Sequence, residues 1–143
     1  MAPELAFDQT RGRLFVVRLA GNFVDTNGLA SIEYGASVLG ASLIVVLGHT
    51  ECGAVKAAVD VVTKGTKLPG HLPRMIGYLK ESVERARSGG GDLVQGAIRE
   101  NVLVNVQKLQ KSEPILAPLV REKRLMVVGG VYDLTTGLVE FLA

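Results

Sequence analysis

The chain contains one cysteine and two histidines, and one of each falls within a single hexapeptide, Gly48-His49-Thr50-Glu51-Cys52-Gly53. A His-x-x-Cys spacing lets an imidazole nitrogen and a thiolate share one metal ion. Zinc accepts that mixture at about 2.0–2.1 Å for nitrogen and about 2.3 Å for sulfur. Two ligands leave a tetrahedral site incomplete. By itself the pattern more often describes a polar turn beside a buried thiol. A third chemistry, a Cys52–His49 nucleophile pair without metal, would use the same atoms, but no acid to orient the imidazole is evident for it. A lone cysteine makes no internal disulfide, which excludes the small secreted scaffolds.

The elements around the hexapeptide are those that present ligands in α/β proteins. Ser42 to Leu47 is continuously apolar, as in a strand covered on both faces, and a helical pattern at Val55, Ala58, Val59 and Val62 follows the hexapeptide. The turn therefore falls at the carboxyl end of a strand, the edge where open α/β sheets bind ligands. Upstream, Leu14 to Leu19 reads as a first buried strand, followed by a helix with Leu29, Ile32, Ala36 and Leu39 on one face that stops near Gly40.

Downstream, Thr63 to Gly70 reads as a loop. Leu72, Met75, Ile76, Leu79 and Val83 mark one amphipathic helix that ends at Gly89-Gly90-Gly91. Asp92 is the expected N-cap of a long helix with Leu93, Ala97, Val102, Val106 and Leu109 inward. A short helical piece through Leu116, Leu119 and Val120 precedes a strand at Leu125 to Val131. A turn at Thr135-Thr136-Gly137 then returns the chain as an antiparallel edge strand, Leu138 to Leu142. The alternation predicts an α/β domain with a mainly parallel sheet flanked by helices, spanning residues 1–143 as a single unit.

Composition agrees. The 143 residues are 48% hydrophobic and 21% charged, with no Trp and 5% aromatics, so the core must be aliphatic. The net charge of +2, with no isolated basic tract, argues against a nucleic-acid partner. No apolar run reaches the roughly 18 residues of a membrane span. Pro3 and Glu4 stand where a signal peptide would be basic and then apolar. The expected location is the cytoplasm.

Around the hexapeptide the resemblance to a known family becomes specific. Gly48-His49-Thr50-x-Cys52-Gly53-Ala54-Val55 follows an aliphatic strand. Phe15-Val16-Val17-Arg18-x-Ala20-Gly21-Asn22 and Ser31-Ile32-Glu33-Tyr34 precede it. Arg99-Glu100-Asn101-Val102 and Gly130-Val131-Tyr132-Asp133-Leu134-x-Thr136-Gly137 come later. In this order, from Pro3 to Leu142, the chain closely resembles the β-class carbonic anhydrases.

That resemblance implies a zinc enzyme for the reversible hydration of carbon dioxide to bicarbonate. It implies His49 and Cys52 as metal ligands, and a homodimer or higher homo-oligomer. A zinc with three protein ligands brings the pKa of its water from 15.7 towards about 7, giving a hydroxide that attacks carbon dioxide. The family's second cysteine belongs to a Cys-x-Asp-x-Arg motif on an earlier strand, whose Asp and Arg pair with each other and gate the hydroxide. This sequence contains no such motif, so no catalytic residue is assigned to it. The motif is expected just ahead of Met1, the chain being shortened at its start.

The fold is then expected to lack its first central strand, which in the family lies between the strands read at Leu14 and Leu43. The alternative is a non-catalytic scaffold acting as a dimerisation or binding module. Arg18 and Tyr34 match positions that help form a non-catalytic bicarbonate site in some members. His71 reads as a solvated loop side chain, Glu51 as solvent-facing, and Asp133 as a cap for local backbone amides.

Overall fold

The computed structural model describes residues 2–142. Seven helices and three strands follow one another along them: α1 (Pro3–Ala6), α2 (Thr26–Ser37), β1 (Leu43–His49), α3 (Gly53–Lys64), α4 (Leu72–Gly77), α5 (Lys80–Arg87), α6 (Leu93–Gln110), α7 (Leu116–Arg121), β2 (Met126–Tyr132) and β3 (Val139–Leu142). The sheet order is β1-β2-β3. β1 and β2 pair in parallel from Leu43↔Met126 to His49↔Tyr132, while β3 returns antiparallel on β2. The fold class is the α/β arrangement expected, and the hairpin return through Thr135-Thr136-Gly137 falls where its turn residues place it.

Helix α6 is the central prop. Asp92 caps it, its carboxylate accepting from Gln95 N–H at 2.8 Å, and Ala97, Ile98, Val102, Val106 and Leu109 are buried. It lies over the sheet where the strands carry glycine. A Cβ at Gly48 would come within 2.8 Å of Val102, and one at Gly129 within 2.6 Å of the same side chain. Side chains alternate along a strand, so His49, one residue beyond Gly48, falls on the other face of the sheet from α6. Leu79, Val83 and Ala86 of the α4–α5 region join Val55 and Ala58 of α3 in the same aliphatic core.

The structure corrects three expectations. Leu14 to Leu19 is extended but belongs to no strand, and Phe15, Val16, Val17 and Leu19 are 38–51% exposed. A strand needs a ladder, and none of the described strands pairs with this segment. It lies instead along α2, with the Phe15 ring so close to Gly35 that a Cβ there would meet it at 3.0 Å. Among the described residues parallel pairing is thereby confined to β1 and β2. Nor is β1 covered on both faces. Val46 and Gly48 are buried under α6, whereas Leu43 is 53% exposed.

The second correction concerns Leu39, which lies beyond the end of α2 and is 55% exposed, because the chain turns away at Gly40 with φ +73°. The third is the single helix expected from Leu72 to Val83. It is two, because Tyr78 and Leu79 donate to Met75 and Ile76, a tighter i→i−3 pattern that interrupts the α-helical ladder just after Gly77.

Candidate metal centre

His49 is the last residue of β1 and Cys52 the N-cap of α3, so the hexapeptide is a two-residue turn between a strand end and a helix start. Glu51 makes the turn possible by adopting φ +58°, a left-handed conformation uncommon outside glycine and asparagine. Its side chain pairs with Lys56 one helical turn on. The Cys52 side chain caps no backbone amide and is 5% exposed, leaving its sulfur at the positive end of a 12-residue helix.

The imidazole of His49 is oriented by the main chain. Its Nδ1 lies 2.8 Å from the Thr50 carbonyl oxygen. A carbonyl only accepts, so this contact makes Nδ1 the protonated nitrogen of the neutral ring and leaves the Nε2 lone pair for a ligand. Thr50 N–H donates to the Tyr132 carbonyl at 2.9 Å, carrying the β1–β2 ladder one residue past the strand. Leu134 N–H donates to Thr50 Oγ1 at 3.0 Å. The next residue back, Asp133, accepts from the amides of Thr135 and Thr136 at 2.7 and 3.2 Å, and those two bonds hold its carboxyl below the usual range. Its expected capping role is what the structure shows.

A buried amide network, not anticipated from the sequence, braces the turn from behind. Asn101 and Asn105 of α6 are fully buried. Asn101 Nδ2 donates to the Gly21 carbonyl at 2.7 Å and to Asn22 Oδ1 at 3.1 Å, while its Oδ1 accepts from Ser82 at 3.2 Å. Asn105 Nδ2 donates to the Asn101 carbonyl, and its Oδ1 accepts from Val24 N–H. Backbone groups fix each amide's orientation, so Asn22 must turn its oxygen toward Asn101. Asn22 Nδ2 is then the one buried side-chain donor left without a partner among the described residues. Gly21 packs against Ala54 and Asn22 approaches Gly48, so this loop touches both flanks of the His49–Cys52 turn. The signal lay in asparagines at i and i+4 on an otherwise apolar helical face.

Other flagged residues lie elsewhere. His71 is exposed ahead of α4, and Arg18 and Tyr34 are exposed on the extended segment and on α2. Arg99 of α6, half-exposed, grips Glu140 of β3 through two hydrogen bonds, Nη1–Oε2 at 2.7 Å and Nη2–Oε1 at 3.0 Å. Among the described residues no three His, Cys, Asp or Glu side chains come together as a metal-binding group. His49 and Cys52 have the right donor chemistry for zinc, but by themselves they do not fit a catalytic zinc site, which takes three protein ligands. No described helix is long and apolar enough to cross a membrane.

Comparison with known proteins gives one answer. The family model described as carbonic anhydrase matches residues 1–139. A carbonic anhydrase of Mycolicibacterium smegmatis is 36% identical over 140 residues, covering 98% of this chain and 68% of the relative. Carbonic anhydrase 2 of Mycobacterium tuberculosis is 38% identical over 137 residues, covering 96% and 66%. This chain thus spans about two thirds of the length of these relatives. Among solved structures, Coccomyxa β-carbonic anhydrase in complex with acetazolamide superposes with a TM-score of 0.84 at 30% identity, over 99% of this chain and 66% of that one. With the strand-turn-helix that carries His49 and Cys52 in place, these matches establish that the chain belongs to the β-carbonic anhydrase family.

Proposed function

We propose that this chain carries the histidine and one cysteine of a zinc site for the reversible hydration of carbon dioxide to bicarbonate. His49 Nε2 and Cys52 Sγ would be two of three protein ligands. The observation that carries the reading is the tether between His49 Nδ1 and the Thr50 carbonyl, which leaves the opposite nitrogen free at a strand end three residues from a buried thiol. Family membership supplies the reaction, and the donor count sets its limit. Two ligands do not make a catalytic zinc site, so residues 1–143 alone are expected to be impaired, with activity restored by a strand bearing Cys-x-Asp-x-Arg. We take residues 1–143 as one domain, acting in the cytoplasm as a homodimer or higher oligomer.

The same shortfall of donors favours one other reading, a scaffold that keeps the fold for self-association or binding and performs no catalysis. Stopped-flow hydration of carbon dioxide with a pH indicator separates the two. The 143-residue chain should run at or near background. A chain extended ahead of Met1 through Cys-x-Asp-x-Arg should turn over in a zinc-dependent way that Cys52→Ser abolishes. An extended chain that is folded and zinc-loaded yet inactive would establish the scaffold.

A further inference from the structure

We infer that Thr50 is a positioning residue for His49, holding its imidazole in the Nδ1–H tautomer by anchoring the turn to the exit of β2. The inference rests on the reading of His49 as a ligand-bearing imidazole, but its test does not involve metal.

All three polar groups of Thr50 are engaged. Its carbonyl oxygen lies 2.8 Å from His49 Nδ1, its N–H donates to the Tyr132 carbonyl at 2.9 Å, and its hydroxyl accepts from Leu134 N–H at 3.0 Å. The ring is therefore only as fixed as the peptide plane that follows Thr50. That plane lies beyond the end of β1 and leads directly into the left-handed residue Glu51, φ +58°. The ladder's one hydrogen bond, from Thr50 N–H, holds only the peptide plane before Thr50.

The hydroxyl supplies the second, and its donor belongs to a segment with its own internal bracing. Asp133 accepts from the amides of Thr135 and Thr136, and Gly137 N–H donates to the Asp133 carbonyl at 2.9 Å. Thr50 thus couples the imidazole to a preorganised turn 84 residues away in sequence. Valine has the same shape without the acceptor, and serine keeps the acceptor without the methyl.

Long-range proton–nitrogen NMR of the histidine-labelled 143-residue chain distinguishes a protonated ring nitrogen from one bearing a lone pair. His71, exposed and remote from the turn, provides an internal reference, and His71→Gln assigns the two rings. Spectra are taken near pH 8.5, about two units above the ordinary imidazole value. In the unaltered chain His49 should show protonated Nδ1 and unprotonated Nε2, while His71 favours the Nε2–H form usual in water. Thr50→Val should lower the His49 ratio of Nδ1–H to Nε2–H tautomer by roughly 2- to 10-fold, the range implied by losing one neutral hydrogen bond. Thr50→Ser should keep it. A protonated Nε2 on His49 in the unaltered chain overturns the inference, and that measurement requires no variant to fold. So does a Thr50→Val spectrum unchanged from the parent, or a serine variant as perturbed as valine. Failure of a chain carrying the added Cys-x-Asp-x-Arg strand to bind zinc or to hydrate carbon dioxide would count against the proposed function while leaving these spectra of the 143-residue chain unaltered.

Discussion

Asn101 on α6 and Asn22 in the loop before α2 share a hydrogen bond of 3.1 Å, Nδ2 to Oδ1, although 79 residues separate them. The bond joins the central helix to the loop that flanks the His49–Cys52 turn. With the adjoining Gly21 carbonyl, Asn101 satisfies two acceptors in a region that excludes water. Replacing it by leucine leaves both unpaired, at about 1–3 kcal/mol for each buried polar group stranded. We expect Asn101→Leu to lower unfolding stability by roughly 2–5 kcal/mol, measured by urea denaturation. A loss below about 0.5 kcal/mol, the level of an ordinary surface change, would show that the network contributes little.

Gly129 faces α6, where a methyl group would come within 2.6 Å of Val102 and 3.2 Å of Val106. Both are branched side chains within the core, where close packing leaves them little room to move aside. Gly129→Ala should therefore destabilise by about 1–3 kcal/mol through overpacking. The same change at Gly53, which has no atom within 4 Å of its would-be Cβ, should be far milder. Thermal melts of the two variants in parallel make the comparison.

The Arg99–Glu140 pair predicts a pH dependence of known sign. The hydrogen bond from Arg99, and then its charge, hold the Glu140 carboxyl below the 4.5 usual for glutamate. The same hydrogen bond pushes the Arg99 guanidinium up. A carboxylate whose folded value is depressed stabilises above its unfolded value, and that contribution is lost as pH falls through the folded one. The difference in Tm between the parent chain and Glu140→Gln should be small at neutral pH, since the pair is exposed. It should diminish as pH falls from the ordinary glutamate value through the lower folded one, and shrink in high salt. A difference that grows on acidification would contradict this assignment.

Zinc content tests the donor count. After dialysis against chelator, the 143-residue chain should retain well under one zinc per chain, because His49 and Cys52 offer two ligands where catalytic sites use three. Cys52→Ser should reduce the remainder further. One tightly held zinc per monomeric chain would show that a third donor has been overlooked.

The extended segment predicts the chain's behaviour in solution. Phe15, Val16, Val17 and Leu19 are substantially exposed, and Leu43 and Met126, paired at the start of the sheet, are more than half exposed. Apolar surface beside an unpaired strand edge favours association. Light scattering should show concentration-dependent association of the 143-residue chain, and Val16→Lys should suppress it. A monodisperse monomer at high concentration would show that this surface is tolerated in water.

Much of this molecule was determined by the sequence alone, because local rules suffice where one element carries its own pattern. The apolar run before Gly48, the spacing of Val55 and Ala58, the Asp92 cap and the turn at Thr135-Thr136-Gly137 each encode an element within a few residues. The order of the motifs from Phe15 to Gly137 identified the family, and through it pointed to His49 and Cys52. What required the tertiary structure was everything that depends on a distant partner. Leu14 to Leu19 has the composition of a strand, but a strand exists only when another backbone completes its hydrogen bonds, and none of the described strands does so. Helical periodicity from Leu72 to Val83 could not separate α4 from α5 either, since Leu79 is buried whether the helix runs on or breaks. Asn22, Asn101 and Asn105 are polar residues in apolar surroundings whose role is set by which carbonyl each meets. The tautomer of His49 follows from a 2.8 Å contact with a carbonyl beyond the strand end, a geometry that neither residue type nor spacing specifies.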